Sequence, residues 1–406
     1  MGSETDSADI LSFGGARGSN QSAVRAYNER LVLSLVRRHG SMAKVDIARS
    51  TGLSAQTVSV IMRSLENDGL LVRGEPKKGR VGQPSVPLSL NPKGAFSIGL
   101  KIGRRSADLV LMDFVGNILE QLHETYAYPS PQGILKFVRA GVEKLNANLG
   151  ADEVKRVAGI GMAAPFELWN WAEEAGASPT ESDAWRNFDL QGEVSALSPF
   201  PVFMENDATS ACGAELVFGL GAHYPDFIYF FIGSFIGGGV VLNSSLIKGR
   251  TGTAGALGSM PVPDGKGGTR QLIEAASISV LERKLREAGV DPRALWLSKS
   301  DWRDLGAPLD EWIEHTASAL ACAIAASASV IDFGAAIIDG GFPDWVRARI
   351  ASATDKALGK LDLRGIIVPE IRSGEVGANA RAIGGASLPL FSRYLLDFNS
   401  FLKETG

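Results

Sequence analysis

The sequence is poor in the residues that build metal clusters and disulfide frameworks. Its 406 residues include two cysteines, Cys212 and Cys322, and four histidines. Two cysteines so far apart exclude a zinc cluster and a disulfide framework, and we expect both to be small, buried apolar residues. The histidines are isolated from one another in the sequence. We therefore expect no metal site and no cofactor.

Long apolar runs are also missing. No stretch reaches about 18 residues without a charge or a break, and the N-terminus lacks a signal-peptide pattern. We expect a cytoplasmic protein with no membrane partner. The chain is 45% hydrophobic and 21% charged, which is ordinary globular composition, and its length predicts two or three domains. Residues 1–20, rich in Ser, Gly and Asp, are expected to be disordered.

Residues 54–69 have the pattern of a helix that enters a DNA groove. Apolar residues recur at i, i+3, i+4 and i+7, namely Val58, Ile61, Met62 and Leu65. Ser54 is suited to cap this helix, and Gln56 carries the amide that pairs with adenine. The side chains on the opposite face are short and polar. From this helix we expect DNA contacts by Ser54, Gln56, Thr57, Ser59 and Arg63.

The neighbouring segments complete a winged helix-turn-helix. A helix at 28–38 and a second at 41–50, carrying Val45, Ile47 and Ala48, precede a tight turn at 51–53. Two strand-like runs at 70–73 and 86–90 then flank a basic, glycine-rich tip suited to phosphates. From this wing we expect DNA contacts by Lys77, Lys78, Arg80 and Gln83.

Charge separates this segment from the rest of the chain. An ordinary helical hairpin would show the same apolar face, so the pattern of the helices alone does not decide whether this segment binds DNA. Residues 21–84 contain eleven Lys and Arg against five Asp and Glu, a formal charge of +6. The whole chain carries −4, so the remainder carries −10. A basic head on an acidic body favours double-stranded DNA as a partner.

The rest of the sequence predicts an α/β body. Strand patterns at 96–102, 107–112 and 118–126 lead into a helix at 132–149 and a buried strand at 157–162, the opening of a ribonuclease-H-like domain. A long helix is expected at 270–288, a last strand at 366–369 and a last helix at 378–396. We divide the chain into a disordered N-terminus (1–20), a winged helix-turn-helix (21–92), a first lobe (93–200) and a second lobe whose C-terminal helix returns to the first (201–406).

Four short motifs carry a resemblance to a known family. They are Glu-Asn-Asp-Ala at 205–208, the glycine turn at 233–239, Gly-Arg-Thr-Gly-Thr-Ala-Gly at 249–255 and Ile-Ile-Asp-Gly-Gly at 337–341. In this order they resemble the ROK family of sugar kinases and sugar-responsive repressors. The preceding head resembles the repressor branch, as in xylose and N-acetylglucosamine repressors. The resemblance implies a two-lobed actin/sugar-kinase body.

Two departures from the family's kinases oppose phosphoryl transfer. Where the kinases read Asp-Ile-Gly, this chain has Lys101-Ile-Gly, which puts a cation in place of a metal-binding carboxylate. Where they read Gly-Thr-Gly-Ile-Gly, it has Phe235 at a point where backbone must approach phosphate. The Asp339-Gly-Gly341 motif faces adenosine in those kinases, and here it is alternatively a strand-to-helix turn. We expect no kinase activity.

The sugar site implied by the resemblance is also partly lost. Asp207 stands where the kinases have their catalytic base, beside Asn206, although an N-cap role for Asp207 is equally compatible with the sequence. Ala256 and Ser259 replace the family's sugar- and zinc-contacting Glu and His, and the zinc loop at 263–270 has no cysteine. Glu274 matches a sugar-contacting position at shorter spacing.

A long connection at 166–188 carries tryptophans that suit a ring-shaped ligand. Trp169 and Trp171 would stack on a sugar face, or alternatively pack in the core or at a dimer contact. The effector site is therefore predicted at Asn206, Asp207, Glu274, Trp169 and Trp171. We expect a homodimeric or homotetrameric repressor that binds operator DNA and a carbohydrate-like effector. The alternatives are an active sugar kinase with an added DNA-binding domain, and a repressor whose body is only a dimerisation scaffold.

Overall fold

The head of the protein is a three-helix unit with a two-stranded wing. A computed structural model of the chain describes residues 17–76, 86–165, 169, 178–297 and 301–396. The head comprises α1 (Arg17–His39), α2 (Lys44–Thr51), α3 (Ala55–Asn67), β1 (Leu71–Arg73) and β2 (Leu88–Leu90). The two strands are antiparallel, with Leu71 opposite Leu90. The predicted winged helix-turn-helix is confirmed.

The predicted core of the head forms as expected. The apolar face of α3 is buried and packs with α1, α2 and the two wing strands, as do the apolar residues of those elements. Gly52 ends α2 with a left-handed φ of 69°, which glycine adopts without strain. The tight turn between α2 and α3 follows from that single residue.

Three details of the head differ from the sequence predictions. Helix α1 begins at Arg17, inside the stretch expected to be disordered, because no proline interrupts the residues before the predicted start. Helix α2 begins at Lys44 rather than at 41, because Met42 pairs with Leu88 of the wing. Val45, one of the three apolar residues on which this helix was predicted, is 65% exposed.

The first lobe is built on a five-stranded sheet. Its elements are β3 (Phe96–Ile102), β4 (Ser106–Asp113), β5 (Ile118–Thr125), α4 (Pro131–Ala147), α5 (Ala151–Val154), β6 (Val157–Ala163), α6 (Pro179–Arg186), α7 (Leu190–Leu197) and β7 (Val202–Glu205). The strand order is β5-β4-β3-β6-β7, with the first three antiparallel and the last two parallel to β3. Helix α6 lies within the stretch expected to be a long connection, and Trp185 on it is buried in the lobe's core.

The second lobe repeats this topology. Its elements are α8 (Asp207–Phe218), β8 (Phe227–Ile232), β9 (Ile236–Leu242), β10 (Ser245–Leu246), β11 (Pro261–Pro263), β12 (Thr269–Gln271), α9 (Ile273–Ala276), α10 (Ile278–Glu287), α11 (Ala294–Leu297), α12 (Gly306–Ala328), β13 (Ala335–Gly340), α13 (Asp344–Leu358), β14 (Glu370–Ser373) and α14 (Ala380–Tyr394). The strand order β10-β9-β8-β13-β14 again places three antiparallel strands beside two parallel ones.

Two predicted elements of the second lobe were wrong. The helix expected at 270–288 is split at Ser277, whose extended backbone (ψ 154°) separates α9 from α10. The last strand lies at Glu370–Ser373, just after the predicted 366–369, because its pairing with β13 begins at Glu370. Of the two cysteines, Cys212 is buried as expected, whereas Cys322 is only partly buried at the edge of the core.

Helix α14 contacts the head and both lobes of the body. It packs closely on α8 and on strands β3 and β6 of the first lobe. A Cβ atom on Gly384 would lie 1.9 Å from the backbone oxygen of Ser210, so only glycine allows this approach. No helix in the described ranges has the length and apolar character to span a membrane.

Candidate nucleic-acid interface and cleft of the body

Helix α3 presents a polar face that no other described element of the head covers. The Ser54 hydroxyl accepts a hydrogen bond from the Thr57 backbone N–H at 3.1 Å and lies 2.8 Å from the Thr57 hydroxyl, which confirms the predicted N-cap. Gln56 and Arg63, seven residues apart, are exposed on one face, and Ser59 is half-buried. This face can approach base edges.

One residue of this face was missed by the sequence reasoning. Val60 lies between Gln56 and Arg63 and is 56% exposed. An exposed valine on a recognition helix can contact a thymine methyl group. The signal was present in the sequence, because Val60 falls off the apolar period of Val58, Ile61 and Met62.

The wing is anchored to α3 by an ion pair. Arg73 on β1 donates to both carboxylate oxygens of Glu66 at 2.5 and 3.0 Å. This pair links β1 to α3 at the surface of the head. The wing-tip residues predicted to contact DNA lie outside the described residues, namely Lys77, Lys78, Arg80 and Gln83.

A cleft of about 210 Å³ opens in the body where β7, α8 and the β8–β9 turn meet. It contains two of the predicted effector residues, Asn206 and Asp207. It also contains Ala256 and Ser259, the two residues that replace the family's Glu and His. Residues that line it include Asn206, Asp207, Phe231, Phe235, Ala256 and Ser259. The sequence motifs 205–208, 233–239 and 254–259 therefore converge on one site.

Asn206, and not Asp207, caps helix α8. The Asn206 side-chain oxygen accepts hydrogen bonds from the backbone N–H groups of Ala208 at 3.0 Å and Thr209 at 3.2 Å. Asp207 is the first helical residue. The alternative reading of Asp207 as the N-cap is therefore wrong, and its carboxylate is left for another partner.

That partner is Arg381 on α14. A terminal nitrogen of Arg381 lies 3.2 Å from the Asp207 carboxylate, and the two side chains are only 14% and 18% exposed. The Arg381 guanidinium also lies 4.8 Å from the Phe231 ring centroid. Sequence reasoning missed this arginine, because 174 residues separate it from Asp207.

Lys101 is buried beside this pair in a second polar cluster. Its ammonium donates to the Ser106 carbonyl at 2.9 Å, the Ser106 hydroxyl at 2.6 Å and the Asp108 carboxylate at 3.1 Å. Asp108 also lies 2.6 Å from the His123 ring nitrogen. Burial, followed by the positive charge of Arg381, lowers the pKa of Lys101 to about 8. Lys101 is therefore a buried cation whose partners all lie on β4.

The glycine turn between β8 and β9 is closed by a cation and by a helix. The Arg104 guanidinium lies 4.4 Å from the centroid of the Phe235 ring. The carbonyls of Gly233 and Ser234 accept hydrogen bonds from the first N–H groups of α10 at 3.0 and 3.1 Å. Those N–H groups are therefore engaged by the turn itself.

The remaining predicted effector residues do not join this cleft as described. Trp169 is half-buried against the core of the first lobe, its carbonyl 3.2 Å from the Ser182 hydroxyl. Glu274 is exposed on α9, and its carboxylate accepts the Gln271 N–H at 3.2 Å. Trp171 lies outside the described residues.

Asp339 has a structural environment. It is fully buried and accepts hydrogen bonds from Arg347 at 2.7 Å, the Gly340 N–H at 2.8 Å, the Gly377 N–H at 3.0 Å and the Tyr229 hydroxyl at 3.1 Å. A carboxylate held by four donors is satisfied without a ligand. This favours the strand-to-helix turn over an adenosine contact.

The hairpin that replaces the family's zinc loop is held by its own backbone. Asp264 accepts hydrogen bonds from the N–H groups of Lys266 at 2.7 Å and Gly268 at 2.9 Å. These bonds lower the pKa of the Asp264 carboxyl. In the described ranges, no three His, Cys, Asp or Glu side chains are grouped so as to hold a metal ion.

Comparison with known proteins decides the family. A model described as winged helix-turn-helix DNA-binding matches residues 25–72, and the ROK family model matches residues 97–389. The chain belongs to the ROK family. The resemblance drawn from the four short motifs is thereby confirmed.

Proteins similar to this ROK chain include repressors in sequence, and both a regulator and a kinase in fold. The xylose repressor of Bacillus spizizenii is 27% identical over 244 residues, which are 60% of this chain and 62% of that repressor. A solved ROK family transcriptional regulator, a homologue of the Escherichia coli MLC protein, superposes with a TM-score of 0.65 at 19% identity, covering 91% of this chain and 96% of its own. A ROK family glucokinase from Streptomyces griseus, solved with glucose and AMPPNP, has a TM-score of 0.55 at 21% identity, covering 72% and 99%. The fold is a winged helix-turn-helix followed by a sugar-kinase-like body.

Proposed function

We propose that this ROK chain is a DNA-binding transcriptional repressor controlled by a carbohydrate-like effector. It would act in the cytoplasm on genes of carbohydrate uptake or metabolism. The observation that carries the proposal is the joining of an exposed recognition helix to a ROK body whose cleft has its Asp207 already paired with Arg381. The relationship to a xylose repressor supports it.

The head would read the operator through α3 and the wing. From α3 the proposed contacts are Ser54, Gln56, Thr57, Ser59 and Arg63, with Val60 added as an apolar contact. From the wing they are Lys77, Lys78, Arg80 and Gln83. One recognition helix reads only a few base pairs, so we infer a homodimer or homotetramer that binds an inverted repeat.

The effector would bind in the cleft against Asn206 and Asp207. Paired aspartate and asparagine side chains suit neighbouring sugar hydroxyls, and the Phe235 ring offers an apolar wall. Glu274, Trp169 and Trp171 are also proposed to contact the effector. Glu274 and Trp169 would reach the cleft only through movement of their segments. Loss of the family's Glu and His at 256 and 259 points to a carbohydrate bound in a different pose from that of the kinases.

Helix α14 would carry the signal from the cleft to the head. At its start Arg381 pairs with Asp207. At its end, the carbonyls of Phe391 and Leu395 accept hydrogen bonds from Arg30 of α1 at 2.9 and 2.8 Å. An effector that bound Asp207 would compete with Arg381, shift α14 and so change the position of the head relative to the operator.

Kinase activity is the rival function, and the cleft disfavours it. Phosphoryl transfer by this fold needs a carboxylate to organise magnesium and a free aspartate to accept the sugar proton. Here Lys101 takes the first position and Arg381 holds the second. We expect no sugar-dependent ATP hydrolysis in a coupled assay, and turnover abolished by Asp207→Asn would overturn this view.

A thermal-shift screen of the full chain tests the proposed effector. The panel would contain sugars, sugar alcohols, sugar phosphates and ATP with magnesium. A ligand at 100 times its dissociation constant adds about 2.7 kcal/mol of stability, which is visible as a raised melting temperature. We expect a carbohydrate to stabilise the wild-type chain and to have no effect on Asp207→Asn. A panel without any carbohydrate that binds would favour an effector-independent scaffold instead.

A further inference from the structure

A cavity of about 80 Å³ lies at the junction of head and body. Its walls come from α1 on the head side and from α8, the end of α14 and the β9–β10 turn on the body side. None of its lining residues belongs to the cleft that holds Asp207. It is therefore a separate site, and the proposed function above makes no use of it.

The polar lining of this junction cavity is cationic and hydroxylic. It consists of Arg37, Arg38, Ser34 and Ser244, and the rest of the described lining is apolar. No acidic side chain of the described residues lines the cavity. A cavity with this lining favours an anion over a cation or a neutral sugar.

Arg37 is the decisive residue. Both of its terminal guanidinium nitrogens are buried, and neither has a hydrogen-bond partner among the described residues. The guanidinium carbon lies 4.5 Å from the Phe218 ring centroid and 5.4 Å from that of Phe391. The rings contact the charge but accept none of its in-plane N–H bonds.

Burial lowers the pKa of Arg37 to about 10, and no carboxylate of the described residues acts in the opposite direction. The side chain nevertheless stays charged at neutral pH. Buried charged groups in proteins are paired in nearly all cases. A guanidinium whose two terminal nitrogens have no partner among the described residues, at the wall of a cavity, therefore calls for an acceptor. The acceptor geometry that fits its planar fork is a pair of oxygens on one atom.

We propose that the junction cavity binds an oxyanion, the phosphate group of a small metabolite or free phosphate, through Arg37. The volume accommodates one such group and not a whole sugar ring, so the remainder of a larger ligand would project through the opening.

The residues around Arg37 are held in place by hydrogen bonds between head and body. Ser34, one turn earlier on α1, accepts the Leu396 N–H at 2.9 Å, and Arg30 is bonded to the carbonyls at the end of α14. An oxyanion on Arg37 would contact α1 and the body at once. Its binding would therefore stabilise the docked arrangement of the head.

The test is calorimetric titration and thermal shift of the full chain with inorganic phosphate at constant ionic strength. We expect phosphate to bind the wild-type chain and to raise its melting temperature. Arg37→Leu, which suits the apolar surroundings, should keep its fold and weaken binding about tenfold or more, as loss of a charge-assisted bidentate contact does. Arg37→Lys, which keeps the charge without the fork, should weaken it less.

A control variant and two further ligands distinguish phosphate binding at Arg37 from general effects of charge and from binding of other anions. Arg364→Leu removes an exposed arginine of the body and should leave phosphate binding unchanged. A phosphate monoester and acetate, titrated in parallel, distinguish an ester and a carboxylate from free phosphate. The proposal is overturned if no oxyanion binds the wild-type chain, or if Arg37→Leu binds phosphate as well as the wild type does.

Discussion

The polar face of α3 and the polar centre of the cleft differ in what their side chains already bind. On α3, Gln56 and Arg63 are exposed to solvent and ready for an external partner. In the cleft, Asp207 is paired with Arg381, and Lys101 is paired with Asp108. The described polar face of α3 is thus open to an external partner, whereas a ligand that bound Asp207 would have to displace Arg381. A surface of the first kind suits constant recognition of DNA, and one of the second kind suits a switch.

The largest expected effect separates the buried side of α3 from its exposed side. Met62 is fully buried in the head's core, so Met62→Ala should lower the free energy of unfolding by about 2–5 kcal/mol through lost contacts and a cavity. Chemical denaturation followed by circular dichroism measures it. The matched control Val60→Ala, on the exposed side, should change stability by less than about 0.5 kcal/mol while weakening operator binding. Equal losses of stability in the two variants would contradict the assigned faces.

The burial of Lys101 in the body predicts that the free energy of unfolding depends on pH. Because its pKa is lowered to about 8 from 10.5, the native chain releases this proton at lower pH than the unfolded chain does. The unfolded state then binds more protons between these values, so stability rises with pH through this window, by about 3 kcal/mol for this group. Below the window both states hold the proton and the contribution is constant.

Lys101→Met should abolish that rise, as measured by denaturant unfolding at several pH values. The exposed Lys360→Met is the control and should retain it. The prediction would be contradicted if the stability of the wild type and of Lys360→Met stayed constant or fell through this window. Lys101 would then not be a charged, desolvated residue.

Breaking the Asp207–Arg381 pair should destabilise the body and make operator binding insensitive to the effector. Asp207→Asn removes the charge that compensates a mostly buried guanidinium and should cost about 1–3 kcal/mol. We expect operator affinity without effector to shift toward the value that the wild type has with effector, because the pair that the effector would break is already absent, and we expect the response to effector to be lost. Arg381→Met, which frees Asp207, should instead strengthen effector binding. An unchanged effector response in Asp207→Asn would place the effector elsewhere.

The smallest effect concerns the start of α3. Ser54→Ala removes the hydroxyl that accepts the Thr57 N–H and should cost about 1 kcal/mol of stability. It should also weaken operator binding, because Thr57 loses its orientation at the first turn. Ser54→Asp is the matched variant, since aspartate caps helices equally well. If it failed to restore stability, the cap would not be the cause of the loss.

Much of the fold could be predicted from local patterns. The apolar period of α3, the glycine after α2 and the alternation of strands and turns are properties of short segments, and these elements formed where expected. The errors arose where tertiary pairing overrides local pattern. Ser277 breaks a continuous helical period because its hydroxyl accepts the Ile236 N–H at 3.0 Å, a contact 41 residues away in the sequence.

The cleft was less predictable than the fold for the same reason. The motif around Asp207 indicated where a ligand site should lie, but nothing near it in the sequence pointed to Arg381. The two are brought together by packing of α14 on α8, which depends on Gly384 and on the whole second lobe. Single motifs locate such a site, and long-range contacts decide what it can do.

The most direct test of the account is the operator affinity of the full chain with and without a carbohydrate found in the thermal-shift screen. Fluorescence anisotropy with DNA from upstream of the protein's own gene gives the dissociation constant for the wild type and for Asp207→Asn. We expect saturating carbohydrate to change the wild-type constant by about tenfold, as a coupling of 1–3 kcal/mol implies, and to leave that of Asp207→Asn unchanged. A wild-type constant unaffected by a carbohydrate that demonstrably binds would contradict control of the head through the cleft.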